Sequence, residues 1–426
     1  MILTPLEIAG GMPLGMNPEA QPLPDVGNLT PLAAFEDVVR SALQRPPCVV
    51  TFSGGRDSAA ILAVAARIAR EENLDPPIAV TVLFEGGLGT GEAEWQERVI
   101  AHSCVESWIR LTVGEEIDFV GPIARPLLKR YGVVHPPHFP LFWLPVQYAR
   151  NGSMLTGFGG DSIMGGWIPA HAAEVIAGRA WPHPADLPLF AFAFAPRFVR
   201  RRAMRLRLTR PVWLKRQAFK EFVAARCEEF ASRPMGRDAF LAWDARRRRS
   251  AVTESTLARM GADVGATVFH PLHDQRFVAA LARDLGARGG GDRTSVMRRV
   301  FAGDLPDDVL ARSAKANFAV AYFRGHTRAF ARRWDGIGLD PDLVDAELLR
   351  KTWLDWIPDP RSALGLQAAW LSSAERGLEE PVADFVEAGE VARSRDTPHR
   401  ELRHIEQRGR PADLRPAMPR ESKQSF

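Results

Sequence analysis

The sequence contains very little cysteine. Its 426 residues include three cysteines, Cys48, Cys104 and Cys227, and no two of them form a C-x-x-C pair. This spacing excludes a disulfide scaffold, a four-cysteine zinc site and a thioredoxin-type redox motif. A small, odd number of cysteines is typical of proteins in a reducing compartment, so we expect a cytoplasmic protein.

Long apolar runs are also missing. The longest, LPLFAFAFA at residues 187–195, has about half of the length needed to span a bilayer. The N-terminus, MILTPLEIAGG, lacks the basic and apolar regions of a signal peptide. The net charge of +4 is too small to indicate a nucleic-acid-binding protein by itself. We therefore expect no membrane partner.

Strand-like and helix-like segments alternate in the first part of the chain. Strands are predicted at Cys48–Phe52, Ile78–Phe84, Trp108–Leu111 and Met154–Thr156, and helices at Ser58–Arg70, Glu92–Ala101 and Leu127–Tyr131. The alternation predicts an α/β fold, with a parallel sheet flanked by helices and a mostly helical C-terminal half. Ligands of such sheets bind at the carboxyl ends of the strands.

Composition divides the chain into four predicted regions. Residues 1–29 form a lead-in segment rich in Gly and Pro, without periodicity, and Thr30-Pro31 then marks the start of a helix. The α/β core covers residues 30–175, a helical part covers 176–379, and a polar tail covers 380–426. The tail has few large apolar residues, so we predict that it is disordered.

The positive charge is concentrated in one segment. Residues Arg197–Arg216 hold nine Arg or Lys and no acidic residue, so the rest of the chain sums to 4 − 9 = −5. The simplest interpretation is a solvated helix face; the alternative is a surface that attracts an anionic partner. Only Phe198 and Trp213 interleave with the basic residues, which disfavours nucleic acid.

The clearest chemical motif is Ser53-Gly54-Gly55-Arg56-Asp57-Ser58, between a predicted strand and a predicted helix. Two glycines allow a sharp turn that directs backbone N–H groups at an anion, and the N-terminus of the helix adds positive potential. Asp57 would repel a phosphate directly, but it suits a Mg²⁺ ion that bridges phosphate oxygens. The chain has no Walker-type G-x-x-x-x-G-K-[ST] loop. The plain alternative is a glycine turn with a helix cap.

This motif resembles the SGGxDS pyrophosphate loop of the ATP-pyrophosphatase superfamily. A second segment, TGFGGDSIMGGW at residues 156–167, resembles the (S/T)-G-E-G-x-D-E-x-x-G-G segment of the asparagine synthetase family. The resemblance implies a PP-loop fold, ATP as substrate and Mg²⁺ as cofactor. It implies that Asp57 and Asp161 bind the metal. The implied ATP-binding residues are Ser53, Gly54, Gly55, Asp57, Ser58, Val82 and Gly157, with Val82 meeting adenine through its backbone.

Two further segments are similar to that family. FHPLHD at residues 269–274 is similar to R-x-P-F-L-D, and its histidines, His270 and His273, have no third ligand spaced for a metal site. The segment L-P-x-x-V-x-x-R-x-x-K-x-x-F, which begins at Leu305, resembles L-P-x-x-V-x-x-R-x-K-x-x-F with one extra residue. The resemblance implies that Lys315 approaches the α-phosphate and pyrophosphate, so Lys315 and Asp161 are the candidate catalytic residues.

The sequence departs from asparagine synthetases in two ways. Residue 2 is Ile2 instead of the nucleophilic cysteine of a glutaminase domain, so we expect no glutamine hydrolysis within this chain. Phe158 replaces a glutamate that acts in amide formation, and a phenyl ring accepts no proton. Another acid such as Glu94 substitutes for it, or the amine arrives deprotonated, or the reaction stops at the adenylate.

We therefore predict an ATP-dependent amide-bond-forming ligase that adenylates a carboxylate and releases pyrophosphate. Its substrates would be a small-molecule or peptide carboxylate and an amine, with the amine coming from free ammonia, an ammonia-supplying partner or the substrate itself. The chain also resembles actinobacterial asparagine-synthase-like proteins that include lasso-peptide cyclases, which would imply a precursor-peptide partner. The alternatives are a catalytically impaired ATP-binding scaffold and an RNA-modifying PP-loop enzyme.

Overall fold

The computed structural model of the chain describes residues 2–85, 92–166, 195–312 and 322–378, together with the single residues 175, 181 and 191. Two predictions lie outside the described residues: the disorder of the tail at residues 380–426, and the position of Lys315. The division of the chain into four regions stays a prediction.

The centre of the fold is a sheet of five parallel strands. The strands are β1 (Cys48–Thr51), β2 (Ile78–Phe84), β3 (Trp108–Val113), β4 (Ser153–Leu155) and β5 (Thr267–Phe269). Their order is β3-β2-β1-β4-β5. In β1, Val50 is level with Ala79 of β2 on one side and with Leu155 of β4 on the other. The predicted α/β fold class is confirmed.

Helices surround the sheet. In the N-terminal half they are α1 (Pro5–Gly10), α2 (Pro31–Leu43), α3 (Arg56–Glu71), α4 (Glu92–Ser103), α5 (Ala124–Tyr131), α6 (Pro140–Val146) and α7 (Gly160–Gly165). Next come α8 (Arg197–Arg207), α9 (Arg216–Ala231), α10 (Arg237–Asp244), α11 (Arg248–Asp263), α12 (Gln275–Leu285) and α13 (Arg293–Phe301). The last are α14 (Asp307–Ala311), α15 (Gly325–Arg333), α16 (Ala346–Leu354) and α17 (Ala363–Glu375).

The central strands β1 and β4 are buried on both faces of the sheet, as expected of a parallel sheet, whereas β3 and β5 at its edges are partly exposed. Because side chains alternate along a strand, Val50 of β1 joins one apolar cluster and its neighbour Val49 joins another. The first cluster contains α2, α3, α12 and α13, and in it the ring of Phe35 is edge-on to those of Phe277 and Phe301. This packing fixes the position of α3, whose first turn lies at the end of β1.

Local signals account for α2 and α3. The predicted cap of α2 is confirmed: the Thr30 hydroxyl accepts a hydrogen bond from the N–H of Ala33, with Pro31 in the first turn. Helix α3 begins at Arg56, two residues earlier than predicted. Asp57 therefore lies in the first turn of α3, where the helix dipole favours a negative charge.

One expectation about secondary structure was wrong, and one strand was not predicted. The lead-in segment contains helix α1, whose capping box pairs Thr4 with Glu7, a local signal that its Gly and Pro content obscured. Strand β5 was not predicted, because three residues carry too little periodicity to be recognised. It pairs with β4 and continues the sheet next to the candidate site. No helix in the described ranges has the length and apolarity needed to cross a membrane.

Candidate active site

The order of the strands creates a topological switch point between β1 and β4. The chain builds β2 and β3 on one side of β1 and then crosses to β4 on the other side. Connections that leave neighbouring strands in opposite directions open a crevice at the carboxyl ends of those strands, where ligands bind. The two motifs of the sequence analysis, residues 53–58 and 156–167, follow β1 and β4 directly.

The loop after β1 is held by its own serines. The Ser58 hydroxyl accepts a hydrogen bond from the N–H of Ser53 (3.2 Å) and donates one to the carbonyl of Gly55 (3.0 Å). Gly54 has φ = +85°, in the left-handed region that favours glycine. Gln96 of α4 donates to the Ser53 carbonyl (3.1 Å). The loop therefore has a defined shape at the N-terminus of α3.

The loop after β4 approaches Asp57 closely at two glycines. A Cβ atom on Gly160 would overlap the Cγ and Oδ2 atoms of Asp57, so a larger residue there would require the Asp57 carboxylate to move. A Cβ atom on Gly157 would lie 3.6 Å from the Cβ of Asp57, which is ordinary van der Waals contact. The absence of side chains at these glycines brings the backbone of the second loop against the first loop. Asp161 follows Gly160 in the first turn of α7.

Asp57 and Asp161 are brought together by a shared arginine. Nη2 of Arg293 donates to both carboxylate oxygens of Asp57 (2.7 and 2.6 Å), and Nη1 donates to Oδ1 of Asp161 (2.5 Å). Burial by itself lowers the pKa of Arg293. The carboxylates of Asp57 and Asp161 raise this pKa by more than burial lowers it, so the net shift is upward and the guanidinium stays charged. One cation thus lies between two carboxylates at neighbouring strand ends.

These residues suit a hard divalent cation. Both acidic side chains offer only oxygen, the ligand type that Mg²⁺ prefers, and the guanidinium already occupies a cation position between them. The described part of the chain contains no group of three or more His, Cys, Asp or Glu residues that could hold a metal. Mg²⁺ in nucleotide sites commonly uses one or two carboxylates, with phosphate oxygens and water completing its shell. A pair of aspartates therefore fits a metal that arrives with a triphosphate.

Val82 lies on β2 beyond the end of β1. The last pair between the two strands is Thr51 with Val80, and Phe52 then donates its N–H to the Val80 carbonyl (2.8 Å). Backbone groups of alternate residues in a strand point to the same side, so those of Val82 also point toward the β1 side, past the last pair. This position is compatible with a backbone contact to a base, the role that the family resemblance implies.

The fourth motif approaches the loop through Arg312. Its Nη1 donates to the Gly54 carbonyl (2.9 Å), and its guanidinium lies over the ring of Trp95, 5.2 Å from the ring centre. Arg312 thus ties the segment after α14 to the loop that follows β1. Lys315 comes three residues later and lies outside the described residues, so its catalytic role remains a prediction.

Phe158 packs against two histidines. Its ring centre lies 5.3 Å from that of His270 and 5.2 Å from that of His273. Nδ1 of His270 is 2.6 Å from the Thr156 hydroxyl, and burial lowers the pKa of His270 to about 4, so it is neutral near pH 7. Nδ1 of His273 is 2.5 Å from Oε1 of Glu254 on α11. The other ring nitrogen of His273, Nε2, is buried and has no hydrogen-bond partner in the described structure.

The hypothesis that Glu94 replaces the missing glutamate gains no support. Glu94 is exposed in the first turn of α4. Residues two positions apart on a helix do not share a face, and it is Gln96 that reaches the loop after β1. Glu254 is the acid that the fold pairs with a histidine beside Phe158, and it was not predicted from the sequence.

Arg293 was also missed, because nothing in its local sequence distinguishes it from other arginines. It lies 236 residues beyond Asp57 in the chain, at the first position of α13. A Cβ atom on Gly165 would lie 2.9 Å from the Cδ of Arg293, so the arginine side chain crosses the end of α7 where that helix has no side chain. Only the packing of α13 against α7 reveals the contact.

The basic segment forms helix α8 over Arg197–Arg207, and part of its charge is neutralised within the protein. Arg197 and Arg201 both pair with Glu228 of α9 (3.1 and 3.3 Å), and Arg200 donates to the carbonyl of Arg233 (2.7 Å). These contacts pack α8 on its neighbour, and the role of the basic segment stays a prediction.

Fold and site together define a class: an α/β protein with a parallel sheet, and with a glycine-rich loop and an aspartate pair at the switch point of that sheet. Comparison with family models gives the family. The asparagine synthase model matches residues 32–404, and the chain belongs to this family. The family implies an ATP-dependent carbon–nitrogen ligase. The comparison with curated proteins found no match to this chain.

Proposed function

We propose that the protein is an amide-bond-forming ligase that adenylates a carboxylate with ATP, releases pyrophosphate and transfers the acyl group to an amine. The observation that carries the proposal is the shared cation position between Asp57 and Asp161, at the ends of neighbouring strands. Family membership supports the reaction class, and the shape of the loop after β1 supports a phosphate ligand.

In the first step, a carboxylate oxygen of the substrate bonds to the α-phosphorus of ATP. The bond from that phosphorus to the oxygen bridging to the β-phosphorus breaks, and pyrophosphate leaves with the bonding electrons. The loop formed by Ser53, Gly54 and Gly55 and the N-terminus of α3 stabilise the anion through backbone N–H groups. We assign Lys315 to the same anion, as the family resemblance implies.

Asp57 and Asp161 would hold Mg²⁺, and a bound Mg²⁺ would neutralise phosphate charge and orient the α-phosphorus. Gly157 and Gly160 keep the second loop close to Asp57, and both carboxylates contact the Arg293 guanidinium. The backbone of Val82 would bind the adenine. These residues hold the nucleotide and bring the reacting atoms together, which contributes through positioning.

In the second step, the amine nitrogen attacks the acyl carbon, the bond from that carbon to the AMP oxygen breaks, and the nitrogen gives up a proton. Phe158 accepts none, so we assign the proton to Nε2 of His273. Glu254 accepts the Nδ1–H of this histidine, which leaves the lone pair on Nε2. The buried, unpartnered Nε2 would thereby gain a hydrogen-bonding role beside Phe158.

The amine is then supplied by ammonia or by an amino group of the substrate. The second option, a carboxylate and an amine on one peptide, would give a macrolactam. It is the more specific version of the proposal and follows from the resemblance to lasso-peptide cyclases. The glutaminase reaction has no place in the proposed cycle.

The test is ATP–pyrophosphate exchange with Mg²⁺ over a panel of carboxylic acids and linear peptides. We expect exchange with at least one panel member and its loss in Asp57→Ala. A wild-type rate in that variant would show that the metal assignment is wrong. Normal ATP binding without exchange over the whole panel would favour an ATP-binding scaffold instead.

Phe158→Glu provides a second, separate measurement. Because the Phe158 ring packs on His270 and His273, we expect the affinity for ATP to change by no more than a few-fold. A collapse of ATP binding in this variant would mean that the ring packs on the nucleotide.

A further inference from the structure

Arg293 occupies the position between Asp57 and Asp161 that the proposed function gives to a metal. Its hydrogen bonds are unevenly distributed: Nη2 contacts Asp57, Nη1 contacts Asp161, and Nε is buried without a hydrogen-bond partner in the described structure. A structural arginine–carboxylate pair generally uses two parallel bonds to one acid. Here one guanidinium binds two carboxylates, those of Asp57 and Asp161, and thus acts as a counter-ion to both.

The surroundings keep Arg293 close to this position. Its side chain is 21 % exposed, and its stem passes over Gly165 at the end of α7. The side chain of Asp161, by contrast, is 58 % exposed. The aspartate pair is therefore accessible from solvent on the Asp161 side, while the guanidinium is held from the protein side.

The formal charges around the aspartate pair indicate how a metal ion would interact with Arg293. The two carboxylates and the guanidinium that is hydrogen-bonded to both sum to −2 + 1 = −1. The charges of Arg56, which interacts with this cluster through space, and of Asp292, which interacts with Arg56, cancel. A free divalent cation between the carboxylates would raise the sum to −2 + 1 + 2 = +1 and would stand next to the displaced guanidinium, which repels it. A triphosphate supplies the negative charge that both cations require, so metal and nucleotide together are compatible with Arg293 and the metal alone is not.

We infer that Arg293 is a specificity-determining residue that excludes free divalent cations and admits the metal only together with a nucleotide. The inference rests on the proposed function, because it takes Asp57 and Asp161 as the metal-binding pair. Its consequence is a strong positive coupling between metal and nucleotide binding, and by linkage the coupling is reciprocal. Arg293 sets this coupling without being required for either ligand separately.

The test uses the full chain, with Mn²⁺ in place of Mg²⁺ so that binding can be followed by electron paramagnetic resonance. The nucleotide is α,β-methylene-ATP, which is not cleaved between its α and β phosphates. We expect the wild-type protein alone to bind Mn²⁺ weakly. With protein and nucleotide both present, Mn²⁺ should bind at least tenfold more tightly than it binds to the protein alone or to the nucleotide alone. For Arg293→Met we expect Mn²⁺ alone to bind at least tenfold more tightly than it binds the wild type.

Arg56→Met is the matched control. Arg56 is a nearby, partly buried arginine, but its Nη1 donates to the Thr294 hydroxyl and the Leu310 carbonyl instead of to the aspartates. Its charge acts on Asp57 and Asp161 through space, so its removal should raise the Mn²⁺ affinity by about threefold at most, well below the gain expected for Arg293→Met. Arg293→Lys keeps the positive charge and should resemble the wild type, which tests the charge argument if the Met variant does not fold.

Three results would overturn the inference. They are micromolar binding of Mn²⁺ alone to the wild type, an unchanged Mn²⁺ affinity in Arg293→Met, and an equal gain in Arg56→Met, which would indicate a general field effect. A separate result would overturn the proposed function: wild type and Arg293→Met both failing to bind Mn²⁺ with the nucleotide present. The experiment can therefore refute the role of Arg293 in the coupling without refuting the metal-binding role of Asp57 and Asp161.

Discussion

The approach of the two loops can be tested by adding one methyl group. Gly160→Ala places a Cβ atom against the carboxylate of Asp57, whose Oδ1 would lie only 2.8 Å away and whose other carboxylate atoms would lie closer. Non-bonded contacts are optimal at about 3.5–4.0 Å. The carboxylate must therefore move by about 1 Å, although no charged group has been removed.

The expected effect is a loss of metal binding without a loss of folding. Alterations around metal ligands typically cost about 10–100-fold in affinity, which corresponds to about 1.4–2.7 kcal/mol. Alanine favours a helix interior over glycine by about 0.8–1 kcal/mol, and the gain is smaller at Gly160, the first residue of α7. Stability should therefore change little, because this gain offsets part of the strain.

The assay is calorimetric titration of α,β-methylene-ATP in the presence of Mn²⁺, with the thermal unfolding midpoint measured in parallel. Gly303→Ala is the control, because a Cβ atom there meets nothing within 4 Å. We expect normal binding for Gly303→Ala and at least tenfold weaker binding for Gly160→Ala. Equal binding of the nucleotide by the two variants would refute the argument that metal binding requires the present position of the Asp57 carboxylate.

Three further outcomes are expected. Phe35→Ala should lower the free energy of unfolding by about 3–5 kcal/mol in urea titrations, because Phe35 is fully buried between two rings, whereas Phe198→Ala on exposed α8 should have almost no effect. Burial lowers the pKa of His270 from its ordinary value of 6.5 to about 4, so the neutral histidine contributes its full stability above pH 6.5, and this contribution is lost as the pH falls toward 4. Between pH 7.5 and 5.5 the free energy of unfolding of His270→Gln should therefore fall by about 1 kcal/mol less than that of the wild type. Equal decreases in the two proteins would contradict the lowered pKa. His273→Gln should retain ATP–pyrophosphate exchange and lose amide formation, and an unchanged rate of amide formation would remove His273 from the mechanism.

Much of the fold was predictable because its signals are local. The cap at Thr30, the turn at Gly54 and the apolar strands each depend on a few consecutive residues, and these predictions agree with the structure. Strand β5 and helix α1 were missed although their causes are also local. A three-residue strand lacks measurable periodicity, and the capping box of Thr4 and Glu7 stands in a segment that composition alone presents as irregular.

The candidate site was predictable in part. The two motifs point to the ends of two strands, and the switch-point rule places such ends in one crevice. Arg293 and the pair of Glu254 with His273 were not predictable. Their partners are distant in the chain, and the residue types are common, so no pattern in the sequence distinguishes them.

The sequence by itself determined the chemistry available at the two loops: glycines that allow close approach, aspartates suited to a hard cation, and a phenylalanine where the family has a glutamate. The tertiary structure decided which charges meet. Side-chain chemistry and turn geometry belong to neighbouring residues, whereas the counter-ion of Asp57 and the partner of His273 depend on how α13 and α11 pack, and packing is a property of the whole chain.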